Sequence, residues 1–77
     1  MPSAPPYRPG DAVRVLIWQG GLSGWHRTTV VHVTPDTGLS GYTWAVTVRH
    51  PLRRPGYPAT LTVGSWDNGQ GNGLRPG

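Results

Sequence analysis

Apolar and polar positions alternate along several short stretches of this chain, the first of which runs from Asp11 to Trp18. The apolar residues on one face of this stretch are Val13, Val15 and Ile17. The opposite face carries Ala12, Arg14, Leu16 and Trp18. A period of two is typical of a half-buried strand. The stretch therefore predicts the first strand.

Two further strands are predicted from β-branched and alternating residues. Trp25 to Val33 is rich in threonine and valine, which favour strands. The doubled Val30-Val31 interrupts its alternation and predicts a bulge or strong bend. Tyr42 to Arg49 has the cleanest alternation in the chain, and its apolar face consists of Trp44, Val46 and Val48.

The last third of the chain predicts two shorter strands. Ala59 to Val63 is the fourth, with Leu61 and Val63 inward, and Leu74-Arg75 is a short closing strand. Thr34 to Gly38 predicts a turn, because its proline presets φ, its aspartate bonds nearby backbone and its glycine accepts a positive φ. Three prolines between His50 and Pro58 predict a long loop before the fourth strand.

Five short strands, glycine-rich turns and no predicted helix indicate an all-β fold. A small five-stranded barrel is expected, because closure removes exposed sheet edges. The 77 residues suffice for one domain, which we place at residues 10–77. Residues 1–9 contain four prolines and predict a flexible arm. The alternative is that Tyr7 docks this segment onto the barrel.

Positive residues outnumber negative residues in this chain. All seven positive residues are arginines and only three aspartates oppose them, for a net charge of +4. Arginine suits bidentate contact with phosphate, so one interpretation is a nucleic-acid partner, and the other is that the charges merely keep a small domain soluble. Cysteine, a membrane-length apolar run and an apolar leader are absent from the sequence. We therefore expect a soluble, cytoplasmic protein without disulfides.

Several short motifs resemble those of a known group of domains. In chain order they are PGDAVRV, GWHRTTVVHV, PDTG, YTWAVTV and LRP. They resemble the Src-homology-3-like (SH3-like) barrels of the Tudor, Agenet and KOW type. The resemblance covers roughly Tyr7 to Pro76. It implies a five-stranded SH3-like barrel in which the loop between Trp18 and Trp25 lies near the loop that carries Tyr57.

Patterns for catalysis and metal binding are weak. His26, His32 and His50 have no cysteine and few carboxylates to complete a metal site, and we expect them to face solvent. In a regular strand His26 and His32 would share a face about 20 Å apart.

A G-x-S-x-G element is absent. Plasmid-type dihydrofolate reductases have a similar length and G-D-x-V start, but their valine-glutamine-isoleucine-tyrosine active-site element is missing here. We predict no enzyme activity, cofactor or metal.

Arginines and aromatic residues make up the predicted binding site. The residues predicted to contact phosphate are Arg14, Arg27, Arg49, Arg53 and Arg54. Trp18 and Tyr57 are predicted stacking platforms and Trp25 is a third candidate, although Trp25 and Trp44 are also expected in the core. The leading hypothesis is a non-enzymatic module that binds DNA or RNA. The alternative is a module that binds an extended or proline-rich peptide in an aromatic groove, and weak self-association is a third interpretation.

Overall fold

The computed structural model describes residues 4–18, 23–36, 41–52 and 55–77, and within these ranges the chain is all-β without helices. The strands are β1 (Ala12–Ile17), β2 (Gly24–Pro35), β3 (Trp44–Arg49), β4 (Thr60–Ser65) and β5 (Leu74–Pro76). Neighbouring strands pair antiparallel in the order β4-β3-β2-β1-β5, and the sheet curls into a half-barrel. The predicted fold class is confirmed.

The predicted strands are confirmed in number and order, but the end of β2 differs. Thr34 and Pro35 pair with Ala45 and Trp44 of β3, so the prediction of a turn is wrong at these two residues. Pro35 is the last residue of β2, where the ladder no longer needs its missing N–H. Asp36 N–H then donates to the carbonyl of Thr43 at 3.0 Å. Residues 37 and 38 of the predicted turn lie outside the described residues.

The doubled valine of β2 is a bulge, as predicted. Val30 pairs with Val48 and His32 pairs with Thr47, so Val31 is the extra residue. Val30 is buried before the bulge, and Val33 packs against the core after it. The bulge thus shifts the alternation of β2 by one position, so that Val30 before it and Val33 after it both face the core. The first half pairs with β1 and the second with β3, so the sheet bends here.

The inner face of the half-barrel holds the hydrophobic core. Its fully buried side chains are Val13, Val15, Val46, Val48 and Leu74. Leu61 and Val63 pack against them from β4, as predicted. Burying one aliphatic side chain of this kind contributes about 1.5–3 kcal/mol. Trp44 is buried as expected, and its indole N–H donates to Oδ1 of Asp67 at 3.1 Å.

Tyr7 anchors the N-terminal segment on this core. Its side chain is only 8% exposed, and its hydroxyl donates to the carbonyl of Gly69 at 2.5 Å. The carboxylate of Asp11 accepts from the backbone N–H of Arg8 at 2.8 Å and fixes the chain before β1. Of the two interpretations given for the first nine residues, docking through Tyr7 is the one found at this residue.

Strands β4 and β5 form the two ends of the sheet, and within the described residues they share no ladder. Close packing joins them instead. A Cβ atom on Gly64 would overlap the ring of Tyr42, and one on Gly71 would overlap the carbonyl oxygen of Gly64. We call these contacts among Gly64, Gly71 and Tyr42 the seam. Trp66 lies beside the seam, with its ring centroid 5.1 Å from that of Tyr42. Contact between side chains and backbone thus takes the place of the hydrogen-bonded closure that was expected.

Candidate nucleic-acid interface

Three arginines lie side by side on the outer face of β5, β1 and β2. Arg14 of β1 is the direct cross-strand partner of Arg27 in β2 and of Arg75 in β5. Directly opposed residues of an antiparallel sheet point to the same face, with Cβ atoms about 4.5–5.5 Å apart. We call Arg27, Arg14 and Arg75 the arginine row. Arg14 and Arg27 are exposed and Arg75 is half-buried.

The alternation of each strand places its arginine on this face. Val13 and Val15 are buried on either side of Arg14, and Leu74 is buried next to Arg75. None of the three aspartates of the chain lies in β1, β2 or β5. Like charges directly opposite each other destabilise a sheet, so folding alone does not favour this row.

Trp25 lies on the same face, two residues before Arg27 in β2 and opposite Leu16 of β1. It is 45% exposed, so the expectation that it is a core residue is wrong. The reason is the alternation of the strand. Gly24 and His26, on either side of Trp25, occupy the inward positions because they pair with Ile17 and Val15, so Trp25 points outward.

The guanidinium of Arg75 lies over the indole ring of Trp25. Its Cζ lies 5.4 Å from the ring centroid, which is a cation–π distance. The same guanidinium donates through Nη1 to the carbonyl of Leu74 at 2.8 Å and to the carbonyl of Gly71. These hydrogen bonds fix the guanidinium over the ring and leave nearly half of Trp25 open to solvent.

Trp18 extends the exposed aromatic surface at the end of β1. It follows Ile17 directly and is 77% exposed. In the alternation of β1 it is the next position after Leu16 on the outer face. Arg14 is tied to this face by a long hydrogen bond of 3.4 Å from Nε to the carbonyl of Pro76.

The other predicted residues lie at the end of β3 and between β3 and β4. A cavity of about 350 Å³ is lined there by Arg49, His50, Leu52, Pro55, Tyr57, Pro58 and Ala59. Arg49 is exposed and Tyr57 is half-buried. Arg53 and Arg54, which were predicted to bind phosphate from this loop, lie outside the described residues.

His50 forms the inner wall of this cavity. It is 5% exposed, and its ring stacks on that of Tyr57 with centroids 5.2 Å apart and planes 25° apart. Its Nδ1 accepts a hydrogen bond of 3.1 Å from the backbone N–H of Leu52. The expectation that all three histidines face solvent is wrong for His50, because the alternation of β3 continues through it and points it inward.

The two groups of predicted residues meet at β2, but their aromatic residues lie on different sides of the sheet. The hydroxyl of Thr28, next to Arg27, donates to the carbonyl of Arg49 at 2.5 Å. Tyr57, however, packs against the core, whereas Trp25 lies on the outer face. The structure thus brings Arg14, Arg27, Trp25 and Trp18 together, and it groups Arg49 with Tyr57 separately.

Arg75 is the residue of this face that sequence reasoning missed. Its alternation with Leu74 predicts that it points outward, but only the register of β5 against β1 shows that it faces Arg14. The bulge also corrects the histidine geometry, since His26 pairs with inward Val15 and His32 with Thr47 on the outer side. The two histidines therefore do not share a face.

Two further features are limited to the described part of the chain. In those ranges no group of three histidine, aspartate or glutamate side chains is placed to hold a metal ion. A helix long and apolar enough to cross a membrane is likewise not found there. Comparison with known protein families, with curated proteins and with solved structures finds no match to this chain.

Proposed function

We propose that this chain is a non-enzymatic, SH3-like module, of the Tudor, Agenet and KOW type that its motifs resemble, which binds nucleic acid through the arginine row. The observation that carries the proposal is the direct opposition of Arg27, Arg14 and Arg75 on three neighbouring strands. In the free protein these three guanidinium groups repel one another, although Arg75 and Arg14 also donate to nearby carbonyls. A phosphate backbone bound across them turns the repulsion into attraction.

The chemistry of arginine supports phosphate as the ligand. A guanidinium donates two parallel hydrogen bonds to the oxygens of one phosphate, and such charge-assisted bonds are roughly twice as strong as neutral ones. Contacts of this kind fix the position of a nucleic acid without reading its sequence. We therefore expect binding that depends on salt and tolerates many sequences. Arg49 extends the cationic surface in this proposal, since it is exposed at the end of β3 and its carbonyl is bonded to Thr28 beside the row. Arg53 and Arg54 stay predicted phosphate contacts that lie outside the described residues.

A second candidate function is favoured by the cavity between β3 and β4. Leu52, Pro55, Tyr57 and Pro58 give it a mostly apolar lining, and Arg49 supplies one cation. Such a cavity suits a proline or aliphatic side chain of an extended peptide. In this alternative Tyr57 is the key aromatic residue, and the arginine row has no role.

Amide chemical shifts of the labelled protein distinguish the two functions. Titration with a mixed-sequence oligonucleotide is expected to move the amides of Arg14, Arg27 and Arg75. A proline-rich peptide library is expected to leave these amides unmoved. Shifts confined to His50, Leu52 and Tyr57, or no shift with the oligonucleotide at micromolar protein and low salt, would reject the nucleic-acid proposal.

A further inference from the structure

We propose that the nucleic acid bound by this face is single-stranded, with one base stacked on the indole of Trp25. This inference rests on the proposed function, since it names the strandedness of the ligand of the arginine row. The inference starts from Trp25, because Arg75 of the arginine row lies over its ring, with Cζ 5.4 Å from the ring centroid.

The exposure of Trp25 is the first step. This large apolar ring beside the arginine row is 45% open to solvent, whereas a phosphate-binding surface needs no such ring. The bases of a duplex are enclosed by their own stacking and present only edges in the grooves. An indole on the outer face of a sheet can therefore stack only on a base that is already unpaired.

The position of Trp25 relative to the row is the second step. Trp25 and Arg27 are two residues apart on one face of β2, which is about 7 Å at the rise of a strand. One nucleotide spans a comparable distance between its phosphate and its base. A phosphate held by the row thus leaves its base within reach of the indole.

The immobilisation of Trp25 is the third step. The guanidinium that lies over the ring is itself bonded to the carbonyls of Leu74 and Gly71, so the ring is held in place before a ligand arrives, and the base stacks on the part of the ring that Arg75 leaves exposed. Preorganisation of this kind lowers the entropy cost of binding. Trp18, which is 77% exposed at the end of β1, offers a second platform to the next base along the strand.

The test compares three probes on the complete chain at one low salt concentration. They are a labelled oligothymidylate of about 12 nucleotides, an abasic deoxyribose-phosphate strand of the same length, and a duplex that contains the oligothymidylate. Stacking of one base is worth about 5- to 150-fold in affinity. We expect the oligothymidylate to bind more tightly than the abasic strand by a factor in this range, and more tightly than the duplex. An oligouridylate distinguishes RNA from DNA, and tighter binding of either single strand supports the inference.

Two variants and one control assign the effect to Trp25. Trp25→Leu is expected to lose most of the difference in affinity between the oligothymidylate and the abasic strand, and Trp25→Phe to keep most of it. Trp66→Leu is the matched control, because Trp66 is similarly exposed but lies beside Tyr42 at the seam. If Trp25→Leu does not fold, the comparison of probes on the unaltered protein and on Trp25→Phe still decides.

The outcomes separate this inference from the function on which it rests. Equal, salt-dependent binding of the abasic strand and the oligothymidylate would overturn the stacking and leave phosphate binding intact. A duplex bound as tightly as the single strand would do the same. Absence of binding to all three probes would overturn both.

Discussion

The alternation of each strand decides whether a residue of this protein faces the core or the solvent. Val13, Val15 and Arg14 could be assigned to their faces from alternation alone, and the structure confirms them. Parity was not enough for Trp25, because its size suggested the core while its position in β2 points outward. Tyr7 is the opposite case, since a proline-rich segment gives no periodic signal and its anchor depends on Gly69, 62 residues away.

Tyr7 should make the stability of the protein sensitive to alkaline pH. Burial of the phenol raises the pKa of Tyr7 above its ordinary value of 10.0, the nearby charge of Asp11 raises this pKa further, and Arg75 opposes the shift. The unfolded chain therefore releases this proton first. The free energy of unfolding should keep this contribution below about pH 10 and lose it as the pH rises through the higher pKa of the folded protein.

Urea unfolding of the protein and of Tyr7→Phe, at about pH 8 and about pH 11, tests this dependence. The variant should be less stable by about 1 kcal/mol at the lower pH, because it lacks the hydrogen bond to Gly69. The difference between the two proteins should shrink at the higher pH. A constant difference at both pH values would contradict the assignment.

At the scale of strands and turns, the sequence predicted what depends on local pattern. Five strands, their order and the bulge at Val30-Val31 follow from alternation, β-branching and turn residues. Cross-strand register does not, because it is set by pairing between residues far apart in the chain. For this reason the opposition of Arg14 to Arg75, and the packing of Gly71 on Gly64, were not predicted.

The seam between β4 and the 66–73 turn should be intolerant of added volume. A Cβ at Gly64 would overlap the ring of Tyr42, so Gly64→Ala should destabilise the protein by about 1–3 kcal/mol through overpacking. Gly73→Ala is the matched control, because its Cβ would meet only the Cβ of Leu16 at an ordinary 3.8 Å. Thermal unfolding of both variants checks this. Equal melting temperatures for the two would show that the seam is not tightly packed.

At the scale of the whole molecule, the half-barrel has a core side and a cationic side. The core residues and Tyr57 lie inside, while the arginine row, Trp25 and Trp18 lie outside. A net charge of +4 on 77 residues is in itself compatible with simple solubility. The proposal of binding rests instead on the concentration of three charges on neighbouring strands.

Arg14→Gln is the substitution that tests this central claim, because Arg14 has an arginine on both sides. It should stabilise the free protein by about 0.2–1 kcal/mol at low salt, since it relieves two like-charge pairs. It should also weaken nucleic-acid binding. Arg8→Gln is the matched control, because it removes the same charge from the exposed N-terminal segment outside the row.

The most direct measurement is the dependence of oligonucleotide affinity on salt for the protein, Arg14→Gln and Arg8→Gln. Neutralising one phosphate contact reduces the slope of log affinity against log salt by about 0.7–0.9. We predict that Arg14→Gln loses this amount of slope while its unfolding temperature rises, and that Arg8→Gln changes neither. An unchanged slope in Arg14→Gln, or equal effects of the two substitutions, would contradict a phosphate-binding role for the arginine row.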